Sequence, residues 1–176
     1  MDNRQLYLTL IGKRLAYLKT EVELFNSLNL TDINVYAENF YRDFFNLLGY
    51  EFDNTNYIEN NFAHIDLIDT KNKLAIQVTS QNDNKKIKEA IDGFFNDPLY
   101  KDYKLKILLI AKDAKDYRTK FGNDFNHKED VLDVKKILAQ INNISALGKL
   151  KGIADFLNEQ ILQERKKTES NEVETI

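Results

Sequence analysis

His64-Ile65-Asp66-Leu67-Ile68-Asp69 and Leu74-Ala75-Ile76-Gln77-Val78-Thr79-Ser80, joined by the polar turn Thr70-Lys71-Asn72-Lys73, decide the fold. Each run is apolar or alternating, as strands are, and a short polar break between two such runs predicts a hairpin. Pairing about Lys71-Asn72 sets Asp66 opposite Gln77, Ile68 opposite Ala75 and His64 opposite Thr79. Directly opposed side chains on one face lie about 5 Å apart. A slip of one residue would carry Gln77 to the other face. An acid facing an amide on a buried hairpin is poor core material, so Asp66 and Gln77 are candidate site residues.

Outward from the hairpin, the apolar spacing sets the rest. Leu8, Ile11, Leu15, Leu18, Val22 and Phe25 recur at steps of three and four, which predicts a first helix over 3–28. The stripe reads either as a packing face or as a homodimer seam through Leu8, Ile11, Leu15 and Leu18, since the spacing also fits heptads. Thr31 or Asp32 caps a second helix that ends near Gly49. Ile33, Ala37, Phe40, Phe44 and Leu47 form its inner face, widened by Tyr41, Phe45 and Leu48. Glu38 lies on that flank, where a carboxylate is costly unless paired or bound to a metal. Arg42, four residues on, is its ordinary helical partner.

Residues 50–58 read as a weak strand with a polar turn. Asn82 to Asn84 cap a helix running to Phe95, with Ile87, Ala90, Ile91 and Phe94 inward. Leu105 to Ala111 reads as a strand covered on both faces. A helix near 113–120, a loop over 122–129, a helix over 131–141 and a last helix from Ser145 to Arg165 follow. The order predicts an α/β fold with a mixed central sheet of about four strands flanked by helices, in one domain over 1–165. Residues 166–176 are polar and are expected to form a disordered tail.

Composition narrows the function. A chain of 176 residues, 43% of them hydrophobic, suits one globular domain. No run reaches the roughly 20 apolar residues of a membrane helix, and Met1-Asp2-Asn3-Arg4 does not open a signal peptide, so no membrane partner is expected. The chain has no cysteine, which excludes disulfides and thiolate metal sites and leads to the expectation of a cytoplasmic protein. A net charge of -3 does not advertise nucleic-acid binding, so any such contact needs a local basic face.

The side chains that remain suit hard cations. Glu38, Asp66 and Gln77, with the backbone carbonyl of Val78, are oxygen ligands for Mg²⁺ or Mn²⁺, the set a metal-dependent phosphodiester hydrolase uses. Gln77 is neutral, so such a site would hold its metal more weakly than three acids. Two histidines and no cysteine leave little for zinc. His64 reads as a strand-start residue within reach of a phosphate, His127 as an incidental loop residue, and Asp69 as support for the hairpin turn.

Tyr36-Ala37-Glu38-Asn39-Phe40-Tyr41, Ile65-Asp66-Leu67, Ile76-Gln77-Val78-Thr79-Ser80 and Asp130-Val131-Leu132-Asp133, in that order, resemble the SMEK domain. The acid on an early helix followed by Asp66 and Gln77 on successive strands also resembles the PD-(D/E)XK restriction-endonuclease-like superfamily. The resemblance covers roughly residues 5–160. It implies a restriction-endonuclease-like core, DNA as substrate, and an effector role in bacterial anti-phage defence beside a further defence-system protein. It makes Glu38 the helix-borne acid, Asp66 the central metal ligand and Gln77 the occupant of the second acid position. It expects lysine at Thr79, which has no charge to offer. Lys85, Lys86 and Lys88 open the next helix, where cations oppose the macrodipole, and Lys86 is the candidate substitute. Those lysines also fit ordinary pairs with Glu89 and Asp92. The alternative implied by Thr79 is an inactive nuclease fold kept for binding nucleic acid or protein, or for assembly.

Overall fold

Residues 2–58, 65–122 and 124–174 of the computed structural model are described here. Helix α1 (Asn3–Ser27) starts where the Asp2 carboxylate accepts the Gln5 N–H at 2.7 Å. After α2 (Asp32–Leu47) the chain turns at Gly49, whose φ of +108° favours glycine. Two residues of β1 (Asp53–Asn54) precede a 3₁₀ turn (Thr55–Tyr57), shorter than the strand expected over 50–58 because Asn54 accepts the Asn56 N–H and curls the chain. The hairpin β2 (Leu67–Asp69) and β3 (Leu74–Thr79) leads to α3 (Asn84–Phe95), capped by Asp83, which accepts the Lys86 N–H. Then come β4 (Lys104–Leu109), a helical turn α4 (His127–Asp130), β5 (Val131–Leu132), α5 (Val134–Asn142) and α6 (Leu147–Glu174). No helix among the described residues is long and apolar enough to cross a membrane.

The sheet has five strands in the order β1-β2-β3-β4-β5, where about four were expected. The added strand is β5, which lies at the head of the helix predicted over 131–141. Strands β1, β2 and β3 are antiparallel, and β4 and β5 continue in parallel. Hairpin register is as read from sequence: Leu67 pairs Ile76, Ile68 pairs Ala75 and Asp69 pairs Leu74. Helix α3 lays Ile87, Ile91 and Phe94 against Ile68, Ala75, Leu105, Ile107 and Leu109. Ile33, Ala37, Phe40, Tyr41, Phe44 and Phe45 of α2 are buried. The Tyr41 hydroxyl has no hydrogen-bond partner among the described residues.

The helix expected near 113–120 does not form. Asp113 is bonded to Lys19 (2.6 Å) and Lys135 (3.0 Å), its carbonyl accepts Asn82 Nδ2, and the Ala114 N–H goes to Asp133 Oδ2 at 2.8 Å. These bonds spend the local backbone groups on other elements. Asp133 also accepts the Lys136 N–H and so caps α5, which is why that helix starts after β5. In α6 the Leu150 N–H bonds the Ala146 carbonyl rather than a turn begun at Ser145. Residues 166–174, read as a polar tail, belong to α6.

Contacts divide the chain into two compact units, residues 1–16 with 138–176, and residues 17–137. The strands, α2 and α3 all lie in the second. The dimer reading of α1 is corrected here: Ile11, Leu15, Leu18 and Val22 are fully buried within this chain, so the stripe is a packing face. Leu8 is half-buried.

Candidate functional site

Glu38 rides on α2 one residue beyond buried Ala37, which leaves its carboxylate half-buried. Arg42 does not answer it. The guanidinium bonds Asp43 (2.9 Å) and the Asn39 side-chain oxygen (3.2 Å). Glu38 Oε2 instead accepts from Asn56 Nδ2 at 3.0 Å. Burial and then the charge of Asp66 push the Glu38 carboxyl up to about 7, against the pull of hydrogen bonds from Asn54 and Asn56.

Asp66 stands one residue before β2. Its N–H donates to the Ile76 carbonyl (3.0 Å) and its own carbonyl accepts the Thr55 N–H (2.9 Å). One carboxylate oxygen accepts the Val78 N–H at 2.7 Å. Burial raises the Asp66 carboxyl to about 6, with the Val78 bond opposing. Both carboxylates are desolvated, the charge of Asp66 acts on Glu38, and among the described residues neither has a salt-bridge partner.

The ladder begins at Leu67–Ile76, so Asp66 and Gln77 are not the opposed pair expected from sequence: the Asp66 N–H bonds the Ile76 carbonyl, one residue short of Gln77. Gln77 and Thr79 line a cavity of about 310 Å³ with Lys86, Glu89 and Ile107. Gln77 Nε2 sits 3.5 Å from the Val78 carbonyl, while Gln77 Oε1 is buried with no hydrogen-bond partner. Thr79 Oγ1 accepts the Gln81 N–H at 3.1 Å. Lys86 Nζ lies 4.0 Å from Glu89, Lys85 Nζ lies 3.9 Å from it, and Lys88 pairs Asp92 at 2.9 Å. The fold thus brings Glu38 to Asp66, and Gln77 to Thr79 and Lys86. The Asp66–Val78 bond ties the first pair to the strand that carries Gln77 and Thr79.

The other candidates resolve simply. His64 lies outside the described residues. Asp69 holds the hairpin turn: it accepts the Asn72 N–H (2.9 Å), Asn72 Nδ2 (2.7 Å) and the Glu51 N–H (3.0 Å), and these bonds keep its carboxyl below the usual range despite burial. His127 packs edge-on against Tyr117 at 5.6 Å between ring centres. Sequence reasoning missed Asn54 and Asn56, which steady Glu38 from the end of β1 and the turn after it. Their only signal is an Asn-Thr-Asn cluster of turn formers.

Two carboxylates suit Mg²⁺, which keeps several waters and takes one or two acids from a protein. The described residues contain no group of three His, Asp or Glu side chains arranged for a metal. The partnerless Gln77 amide oxygen has the chemistry of a hard-cation ligand, and Gln77 lines the cavity with Thr79 and Lys86.

No curated protein and no solved structure matches the chain. The family model of the SMEK domain matches residues 10–142. That span includes Glu38, Asp66, Gln77, Thr79 and Lys86, and this chain belongs to the SMEK domain family.

Proposed function

We propose that this SMEK domain is a Mg²⁺-dependent (or Mn²⁺-dependent) endonuclease-like domain acting on DNA, an effector module of bacterial anti-phage defence, on a PD-(D/E)XK restriction-endonuclease-like core. The strand order supports the core: a helix with an acid, an antiparallel hairpin, a helix and a parallel strand follow one another. The observation that carries the reading is the Glu38–Asp66 pair, two acids lifted to about 7 and about 6 by burial and held together without a cation among the described residues. Strongly shifted groups of this kind concentrate at functional sites.

Glu38, Asp66, Gln77 and the Val78 carbonyl would hold the metal. When bound, Mg²⁺ neutralises charge on the scissile phosphate and acidifies a bound water. Glu38 titrates near neutrality and is suited to taking a proton on its carboxylate. Lys86, on the cavity shared with Gln77 and Thr79, offers its Nζ to a phosphate oxygen in place of the lysine that Thr79 lacks.

A second reading, an inactive nuclease fold kept for binding or assembly, is favoured by Thr79 and by the nearness of Lys86 to Glu89. Cleavage of supercoiled plasmid in Mg²⁺ or Mn²⁺ decides between them. The active reading expects nicking that Asp66→Asn lowers at least about 100-fold. DNA retained in a gel shift without cleavage in either metal supports the second reading. An undiminished rate in Asp66→Asn overturns the first.

A further inference from the structure

The segment between β4 and α4 is long for a connection with no regular structure. Among its described residues, 110–122 and 124–126, none is helix or strand. Structureless segments beyond about 12–15 residues in a compact domain are usually functional. This one is fixed in place. The Tyr117 hydroxyl donates to the Asn82 carbonyl (2.8 Å), Asn84 Nδ2 donates to Thr119 Oγ1 (2.6 Å), and Asp113 and Ala114 are tied as described above. It leaves the carboxyl end of β4, beside the segment that follows β3. The carboxyl ends of parallel strands are where open α/β sheets bind ligands.

A cavity of about 380 Å³ opens in this segment. One side of it is aromatic: Tyr117, Phe121 and Phe125, whose rings are otherwise buried in the core, and half-buried His127. Their rings interlock edge to face, Tyr117–Phe121 at 5.9 Å and Phe121–Phe125 at 5.8 Å between centres. Arg118 and Lys120 line the same cavity and are exposed. Neither makes an ion pair among the described residues, whereas the lysines of α3 are drawn to Glu89 and Asp92. From Lys112 to Lys128 five basic residues meet three acidic ones, and one of those acids, Asp113, is already held by Lys19 and Lys135. An apolar aromatic wall beside two uncommitted cations complements a ligand with a flat ring at one end and an anion at the other. The volume lies at the small end of the range for ligand pockets, roughly 300–1,000 Å³.

We propose that this cavity binds a free mononucleotide, its base against the Tyr117, Phe121 and His127 rings and its phosphate on Arg118 and Lys120. The cavity is lined by none of Glu38, Asp66, Gln77 or Thr79, so the inference goes beyond the nuclease reading and stands without it. A single pocket of this size takes one nucleotide, while a strand would need a groove that tracks its backbone.

Titration calorimetry of the full chain with the four ribonucleoside monophosphates and with inorganic phosphate tests it. At least one nucleotide is expected to bind with Kd below about 1 mM, and phosphate at least about ten-fold more weakly. The double variant Arg118→Ala/Lys120→Ala, which changes only exposed side chains, should weaken binding at least about ten-fold. His127→Ala, on a half-buried ring, should weaken the nucleotide more than it weakens phosphate. Asp66→Asn should leave nucleotide affinity unchanged, so the two proposals fail separately. No binding by any nucleotide, equal binding of phosphate, or a double variant that binds like the parent overturns the inference. A short deoxythymidine oligomer that binds at least about 100-fold tighter than every mononucleotide, and loses that advantage in Arg118→Ala/Lys120→Ala, also overturns it, in favour of a strand on this cavity.

Discussion

At the scale of residues, Glu38 and Asp66 set the pH behaviour. Their ordinary values are 4.5 and 3.8, and in the fold they rise to about 7 and about 6. The folded state therefore holds protons that the unfolded state has released, and stability falls as pH rises between those limits. In EDTA the melting temperature should fall by a few degrees from about pH 4 to about pH 7 on their account. Glu38→Gln should flatten the upper half of that slope, and Mg²⁺ should restore stability at pH 8. A slope identical in Glu38→Gln and the parent would show that Glu38 is not desolvated. Asp66 carries a second duty that sequence could not reveal, because its carboxylate accepts the Val78 N–H. Asp66→Ala leaves that donor unpartnered at a cost of about 1–3 kcal/mol, which offsets the relief of removing a charge. Asp66→Asn keeps an acceptor and should stay within about 1 kcal/mol of the parent in a urea melt. Gln77→Leu removes a buried oxygen that bonds nothing and should stabilise the metal-free protein by about 1 kcal/mol, while weakening any response of melting temperature to Mg²⁺.

At the scale of elements, the hairpin was legible because its two signals agree. Alternation gave the strands, and Thr70-Lys71-Asn72-Lys73 gave the turn and hence the register. Asp69 explains why the register holds: its carboxylate gathers the Asn72 N–H, the Asn72 side chain and the Glu51 N–H. Asp69→Ala should destabilise by about 3 kcal/mol in chemical denaturation. Its contribution has the opposite pH sign to that of Glu38, since a lowered carboxyl stabilises at neutral pH and loses this as pH falls through the acid range. Other elements lay beyond local reading. Strand β5 has only Val131 and Leu132, too few for any period, and it exists because β4 offers Ile107 and Leu108 as partners. The missing helix at 113–120 has the composition of a helix. Tertiary bonds from Lys19, Asn82, Lys135 and Asp133 outweigh that local preference, and none of them is visible from within the segment.

At the scale of the whole molecule, the sequence of α1 shows an apolar stripe and does not show what packs against it. Periodicity reports that a face is covered and is silent on what covers it. Since Ile11, Leu15 and Leu18 are buried within the chain, Leu15→Ala should cost about 2–5 kcal/mol of stability in a urea melt, with no change of oligomeric state by light scattering. The SMEK match ends at residue 142, short of α6, yet residues 1–16 form a compact unit with 138–176. Helix α6 buries Leu150, Ile153, Ala154 and Leu157, and Glu164 pairs the buried Arg14 at 2.6 Å. A chain cut after residue 142 should therefore lose cooperative thermal unfolding by circular dichroism, although it keeps every matched residue. The boundary of family likeness is not a boundary of folding. Of the candidate site, Glu38, Asp66 and Gln77 could be picked from sequence because each is polar where the pattern asks for apolar. Asn54 and Asn56 could not, because asparagines in a turn are ordinary.

The sealed Tyr41 hydroxyl has an optical consequence. With nine tyrosines and no tryptophan, the near-ultraviolet absorbance of this protein is a tyrosine spectrum. Burial drives the Tyr41 phenol far above its usual range. In an alkaline titration that absorbance follows phenolate formation. The Tyr41 increment should then arrive only with the loss of helical ellipticity, so that one ring serves as a built-in dye for the opening of α2.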